Sequence, residues 1–121
     1  MKKVFYLSTC STCKRIIREL DLTNGFEFQD IKSNKITPEQ VDEMKEMAGS
    51  YEALFSRRAM KFRMLNLHEE KLTDLDFRKH LLNEYTFFKR PIIIYGDEIF
   101  VVINKFFKGL VIIGIRCSQK Q

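Results

Sequence analysis

The feature that most restricts the fold is a change of hydrophobic period around Cys10. Val4-Phe5-Tyr6-Leu7 is a short, nearly all-apolar run, the pattern of a strand buried on both faces in the middle of a sheet. From Ser11 the spacing becomes helical, with Cys13, Ile16, Ile17 and Leu20 on one face and Lys14, Arg15, Arg18 and Glu19 on the other. Asn24-Gly25 is expected to end that helix, and Phe26-Glu27-Phe28-Gln29 alternates as a half-buried strand should. A β-α-β unit therefore opens the chain and points to an α/β fold.

The middle reads as helical. Thr37-Pro38-Glu39-Gln40 combines a Thr cap, Pro at the first helical position and Gln three residues after the cap. Val41, Met44 and Ala48 line the apolar face that follows, and Gly49 is the expected stop. A second start is expected near Ser56 and a third at Thr73, with Asp76 completing its cap and Phe77, Leu81 and Tyr85 at helical spacing. Pro91 to Tyr95 and Ile99 to Ile103 are β-branched runs joined through Gly96-Asp97, as in a tight hairpin. The tail beyond Ile103 could hold a last helix or strand, and Leu110 to Ile115 is again β-branched.

At 121 residues the chain fits one domain spanning 1–121. Its 45% hydrophobic content and eleven Phe suffice for a core without disulfide or metal staples. No apolar run approaches the roughly 18 to 20 residues needed to cross a bilayer, and Val4 to Leu7 is too short for a signal-peptide core. Three cysteines are too few and too odd in number for a secreted disulfide framework, so a reducing, cytoplasmic setting is expected. The net charge of +5 is a modest bias that excludes a strong nucleic-acid signature, because 16 acidic residues are mixed among 21 basic ones. Arg57, Arg58, Lys61 and Arg63 cluster in mid-chain, and a solvated face is the simplest account of them.

Cys10-Ser11-Thr12-Cys13 sits where a strand hands over to a helix. There the unpaired backbone N–H groups and the positive end of the helix dipole favour a thiolate over a thiol at Cys10, so its pKa should fall. Cys13 belongs to the apolar face with Ile16 and Ile17, which makes it the sheltered partner able to resolve a mixed disulfide formed at Cys10. Lys14 and Arg15 add positive charge nearby. A zinc half-site and two inert cysteines are the other readings. Structural zinc needs four ligands, and Cys117, His68 and His80 offer no regular spacing, so no metal is expected.

Two further motifs matter. Ser56-Arg57-Arg58 could supply the planar, bidentate donors that an oxyanion or carboxylate needs. Lys89-Arg90-Pro91 precedes the strand Ile92 to Tyr95, where a proline forfeits no essential ladder bond. Taken together, the β-Cys-x-x-Cys-α opening, Leu54-Phe55-Ser56-Arg57-Arg58 with Lys61 to Leu65, and Phe88-Lys89-Arg90-Pro91 with Ile92 to Ile94 resemble the arsenate reductase (ArsC) family. That family includes glutaredoxin-like arsenate reductases and Spx-type redox-sensing regulators.

The resemblance implies a thioredoxin-like fold: a mixed four-stranded sheet flanked by helices, with an inserted helical section. It implies a cis-proline at Pro91, as the position for cofactor binding, and a basic pocket around the thiolate. Cys10 looks like the family's nucleophile, Arg58 its first anion-binding arginine and Arg90 its second. No cofactor would be resident; glutathione or a thioredoxin or glutaredoxin would serve as external reductant. The implied partners are a small oxyanion or low-molecular-weight thiol and a redox protein, with no direct nucleic acid and no membrane. Arsenate reductases of this family generally carry Cys-x-x-Ser and a further arginine after the last strand. Here Asn104-Lys105-Phe106-Phe107-Lys108 has none, and Cys13 is closer to the Spx-like branch, whose members bind RNA polymerase as redox-sensing transcription regulators.

Overall fold

A computed structural model describes residues 2–22, 25–104 and 111–116, with 102–104 and 111–116 described for their backbone. β1 (Lys2–Tyr6), α1 (Ser11–Glu19) and β2 (Glu27–Asp30) form the opening unit, with β1 and β2 parallel. α2 (Pro38–Ala48), α3 (Met60–Met64) and α4 (Asp74–Asn83) make the helical section, and β3 (Ile92–Tyr95), β4 (Glu98–Asn104) and β5 (Val111–Arg116) complete the sheet. The strand order is β2-β1-β3-β4-β5, antiparallel at every pair after the first. The four expected strands are all present in a mixed sheet. The β-branched run in the tail adds β5 as a fifth, because β4 offers it a ladder to pair with.

Local chemistry explains the two long helices of the middle. Thr37 and Gln40 cap each other's backbone N–H groups across the first turn of α2, and Gly49, at φ 99°, takes the left-handed conformation that ends it. Thr73 and Asp76 repeat the reciprocal cap on α4. The helix expected near Ser56 begins instead at Met60, because the Ser56 hydroxyl accepts the Arg58 N–H and shapes a turn there. α1 stops at Glu19, before Asn24-Gly25, where Asp21 adopts a left-handed φ of 55°. Asn24 itself lies outside the described residues.

Phe5, Leu7, Ile92, Ile94, Ile99 and Val101 share one buried cluster with Val41 and Met44 of α2 and Phe77 and Leu81 of α4. Val4 and Ile93, one residue out of step, are buried on the other face, and α1 buries Cys13 and Ile16. β2 inverts the expected alternation. Phe28 is 39% exposed and meets Tyr6 edge-on, whereas Gln29 is buried. The Gln29 amide is tolerated inside because it donates to the Asn34 carbonyl at 2.9 Å and accepts from Gln40 Nε2 at 2.9 Å.

α2 and α4 are fastened by an ionic clamp. Arg78 donates to both carboxylate oxygens of Asp42, at 2.8 and 3.2 Å, and the Tyr51 hydroxyl donates to the same carboxylate at 2.6 Å. The Arg78 and Tyr51 hydrogen bonds hold the Asp42 carboxyl down at about 2. A carboxylate depressed in the folded state stabilises fully above its unfolded pKa of about 4 and loses that contribution as pH falls toward 2. Arg78→Met should therefore lower Tm at pH 6, and its gap from the wild type should narrow between pH 4 and 2. Thermal melts of both proteins across that range check this; a gap independent of pH would contradict it.

Candidate functional site

Cys10 is the N-cap residue of α1, half-buried, with its backbone N–H bonded to the Leu7 carbonyl at 3.0 Å. The first turn of α1 contains no acidic residue, so nothing in it offsets the positive end of the helix. The Cys10 side chain makes no capping hydrogen bond. Arg15, one turn from Glu19 on the same helix, pairs with its carboxylate at 2.9 Å.

Cys13 is buried, and neither it nor Cys10 is in a disulfide. Burial pushes the Cys13 thiol up to about 11, opposed by a hydrogen bond from the Leu7 backbone. The negative charge of Cys10 and a hydrogen bond to it raise Cys13 further, while the positive charge of Arg90 lowers it. Cys13 is thus the thiol that keeps its proton, beside a Cys10 whose charge it feels. The two sulfurs and Arg90 form one electrostatic unit.

The register explains why Arg90 is there. Phe5 pairs with Ile92 at the end of the antiparallel ladder, so Pro91 and Arg90 come just before the first paired residue of β3, at the end of the sheet where β1 leads into Cys10. The Arg90–Pro91 peptide is cis, as the resemblance implied. Arg90 donates through one terminal nitrogen to the Thr86 and Phe88 carbonyls, at 3.2 and 3.0 Å, and its buried Nε has no partner among the described residues.

Arg58 reaches the same neighbourhood from the helical section. An isolated antiparallel bridge joins Phe55 to Phe88, closed by Ser56 N–H to the Phe87 carbonyl at 2.7 Å and Lys89 N–H to the Leu54 carbonyl at 2.9 Å. This brings Arg58 and Arg90 to one open pocket of about 680 Å³, together with Arg57, Lys61 and Lys89. Burial and the charge of Arg57 hold the Lys89 ammonium below its usual range. Cys10 and Cys13 are not among the pocket's lining residues, so Arg90 is the link between the basic pocket and the thiol pair.

Sequence reasoning missed Asp30. At the end of β2 its carboxylate accepts from the Ser8 N–H at 3.2 Å, the Lys32 N–H and the Ser33 hydroxyl, and the Ser8 hydroxyl first, with these bonds after it, holds its pKa down. Asp30 pins the turn that presents Cys10. Its only signal was a carboxylate at a strand end beside β1. His68 contacts Glu69 and His80 meets Phe87 edge-on, both away from the thiols. Cys117 lies outside the described residues. Among the described residues no cluster of His, Cys, Asp and Glu could hold a metal, and no helix is long and apolar enough to cross a membrane.

Comparison with known proteins agrees with this fold. A family model described as the ArsC family matches residues 5–105. A possible arsenate reductase from Streptococcus mutans UA159 superimposes with a TM-score of 0.64 at 26% identity, covering 78% of this chain and 82% of its own. The solution structure of SACOL0876 from Staphylococcus aureus COL gives 0.69 at 26% identity, covering 86% and 92%. An arsenate reductase (ArsC) related protein from Brucella melitensis gives 0.68 at 21% identity, covering 85% and 87%, a likeness of fold. No curated protein matches by sequence.

The coupling of the thiols is testable. In a Cys117→Ser background, Cys10→Ser should bring the Cys13 titration down from about 11, because it removes the neighbouring charge. Adding Arg90→Ala should push it back up. Ultraviolet absorbance of the thiolate reads both shifts, and a Cys13 titration indifferent to both substitutions would show that the three groups do not form one unit.

Proposed function

The chain belongs to the ArsC family, and from that premise we propose that it is a thiol-dependent oxidoreductase in which Cys10 is the nucleophile and Cys13 the resolving thiol. The observation that carries this reading is the unequal thiol pair: a half-buried sulfur at a helix start, beside a buried, protonated one that feels both it and Arg90. With arsenate, the Cys10 thiolate attacks arsenic and a protonated oxygen leaves as water. A second thiol, from glutathione or Cys13, then attacks the Cys10 sulfur. The electron pair passes to arsenic, which departs as arsenite, and a disulfide remains. Arg58 and Arg90 hold the oxyanion's negative charge during the attack.

The same pair supports a second reading, a redox switch without turnover. What favours it is the hydrogen bond between Cys10 and Cys13, which lets a disulfide close within the chain. Partner sets recovered with the oxidised and reduced protein that differ, in the absence of any turnover, would select it.

A coupled assay with arsenate or a low-molecular-weight disulfide, and glutathione as reductant, separates these readings. Cys10→Ser should abolish turnover. Arg58→Ala and Arg90→Ala should each lower kcat/KM by about ten- to a hundredfold, the equivalent of about 1.5–3 kcal/mol for one charge-assisted hydrogen bond. Wild-type protein that reduces neither substrate would remove the enzymatic reading.

A further inference from the structure

The pocket shared by Arg58 and Arg90 is far larger than an inorganic oxyanion requires. Its volume of about 680 Å³ falls in the range of about 300–1,000 Å³ typical of sites for organic ligands, whereas one water occupies about 30 Å³. Two of its five basic side chains are already matched by carboxylates, Arg57 by Glu52 at 3.0 Å and Lys61 by Glu84 at 2.8 Å. Arg58 has no carboxylate partner among the described residues, and neither has Arg63, which is exposed on α3. A positive field therefore extends from the pocket along α3.

Apolar surface extends the same way. Met60 is 80% exposed, Met64 67% and Leu65 52%, a turn apart along α3 and its end. The two methionines border the pocket and Leu65 stands beyond it. Large apolar side chains grouped at the rim of a candidate site mark a contact surface, and methionine adapts to varied partners. An occupant confined to the pocket would leave Leu65 and Arg63 unused. One that covers them must be acidic, partly apolar and long enough to run out over α3.

We propose that α3 and the pocket beneath it are the docking surface for an acidic, apolar-bearing segment of a partner protein whose disulfide Cys10 attacks. This rests on the thiol reading given above and names its substrate class. The Cys10 thiolate forms a mixed disulfide with one partner sulfur and releases the other as a thiolate, which takes up a proton. Cys13 then loses its proton and attacks Cys10, forming the Cys10–Cys13 disulfide and releasing the second partner sulfur. The partner gains two electrons, both from the thiol pair, and two protons, one from Cys13 and one from water.

The test is stopped-flow oxidation of the reduced protein by two probes: the symmetric disulfide of acetyl-Glu-Leu-Cys-Glu-amide, and its counterpart with Lys for Glu. The acidic probe should react at least about ten times faster. Arg63→Glu and Leu65→Glu should bring that ratio close to one, whereas Lys79→Glu, the same charge change on an exposed residue of α4, should leave the preference largely in place. Because each ratio is taken within one variant, loss of folded protein does not mimic the effect. Equal rates for the two probes with wild-type protein, or an equal fall of the ratio in all three variants, would overturn the docking surface while sparing the thiol chemistry. Failure of Cys10 to react with either probe would overturn both.

Discussion

The arrangement of the site depends on a single antiparallel bridge, Phe55 with Phe88, deep in the helical section. Phe55 is 1% exposed, stacked on Phe87 with centroids 4.8 Å apart and meeting Phe77 and Phe62 edge-on. A buried aromatic of this kind is worth roughly 3–5 kcal/mol when truncated to Ala, so the bridge is held by the core and not only by its two backbone hydrogen bonds. The two segments leave this antiparallel bridge in opposite directions, and Arg90 shares a pocket with Arg58 because its side chain turns back to the Thr86 and Phe88 carbonyls. Core packing and site geometry are the same interaction seen from two sides.

The second constraint is electrostatic. A thiol pair becomes a directional device when its members differ, and here burial makes them differ. Cys13 lies on the inward face of α1 and keeps its proton, while Cys10 lies at the helix mouth, where charge is tolerated. Arg90 is shared between this pair and the pocket, so an anion held there and a thiolate at Cys10 would answer to the same guanidinium. The Asp30 carboxylate, by fixing the Ser8 turn, keeps Cys10 at the end of β1 where that guanidinium is near.

Much of this was legible in the sequence wherever the signal was local. The reciprocal caps at Thr37 and Thr73 act within one turn and needed no tertiary partner to be read. The Cys10 and Cys13 positions followed from helical periodicity alone. What depended on partners was misread or missed. β2 looked as though it would bury its phenylalanines, but Gln29 went inside because Gln40 and the Asn34 carbonyl satisfy its amide. Ser56 looked like a helix cap and made a turn. The β-branched tail could not choose between helix and strand until β4 presented an edge to pair with.

The central claim is that one sulfur of the pair is ionised at the mouth of α1 while the other is kept neutral by burial. Alkylation of the reduced protein with iodoacetamide, followed site by site by mass spectrometry as a function of pH, tests this most directly. The account predicts that Cys10 is labelled at neutral pH and Cys13 is spared until strongly alkaline conditions. Labelling of Cys13 first, or a Cys10 that reacts only near the free-thiol pKa of about 8.5, would contradict it.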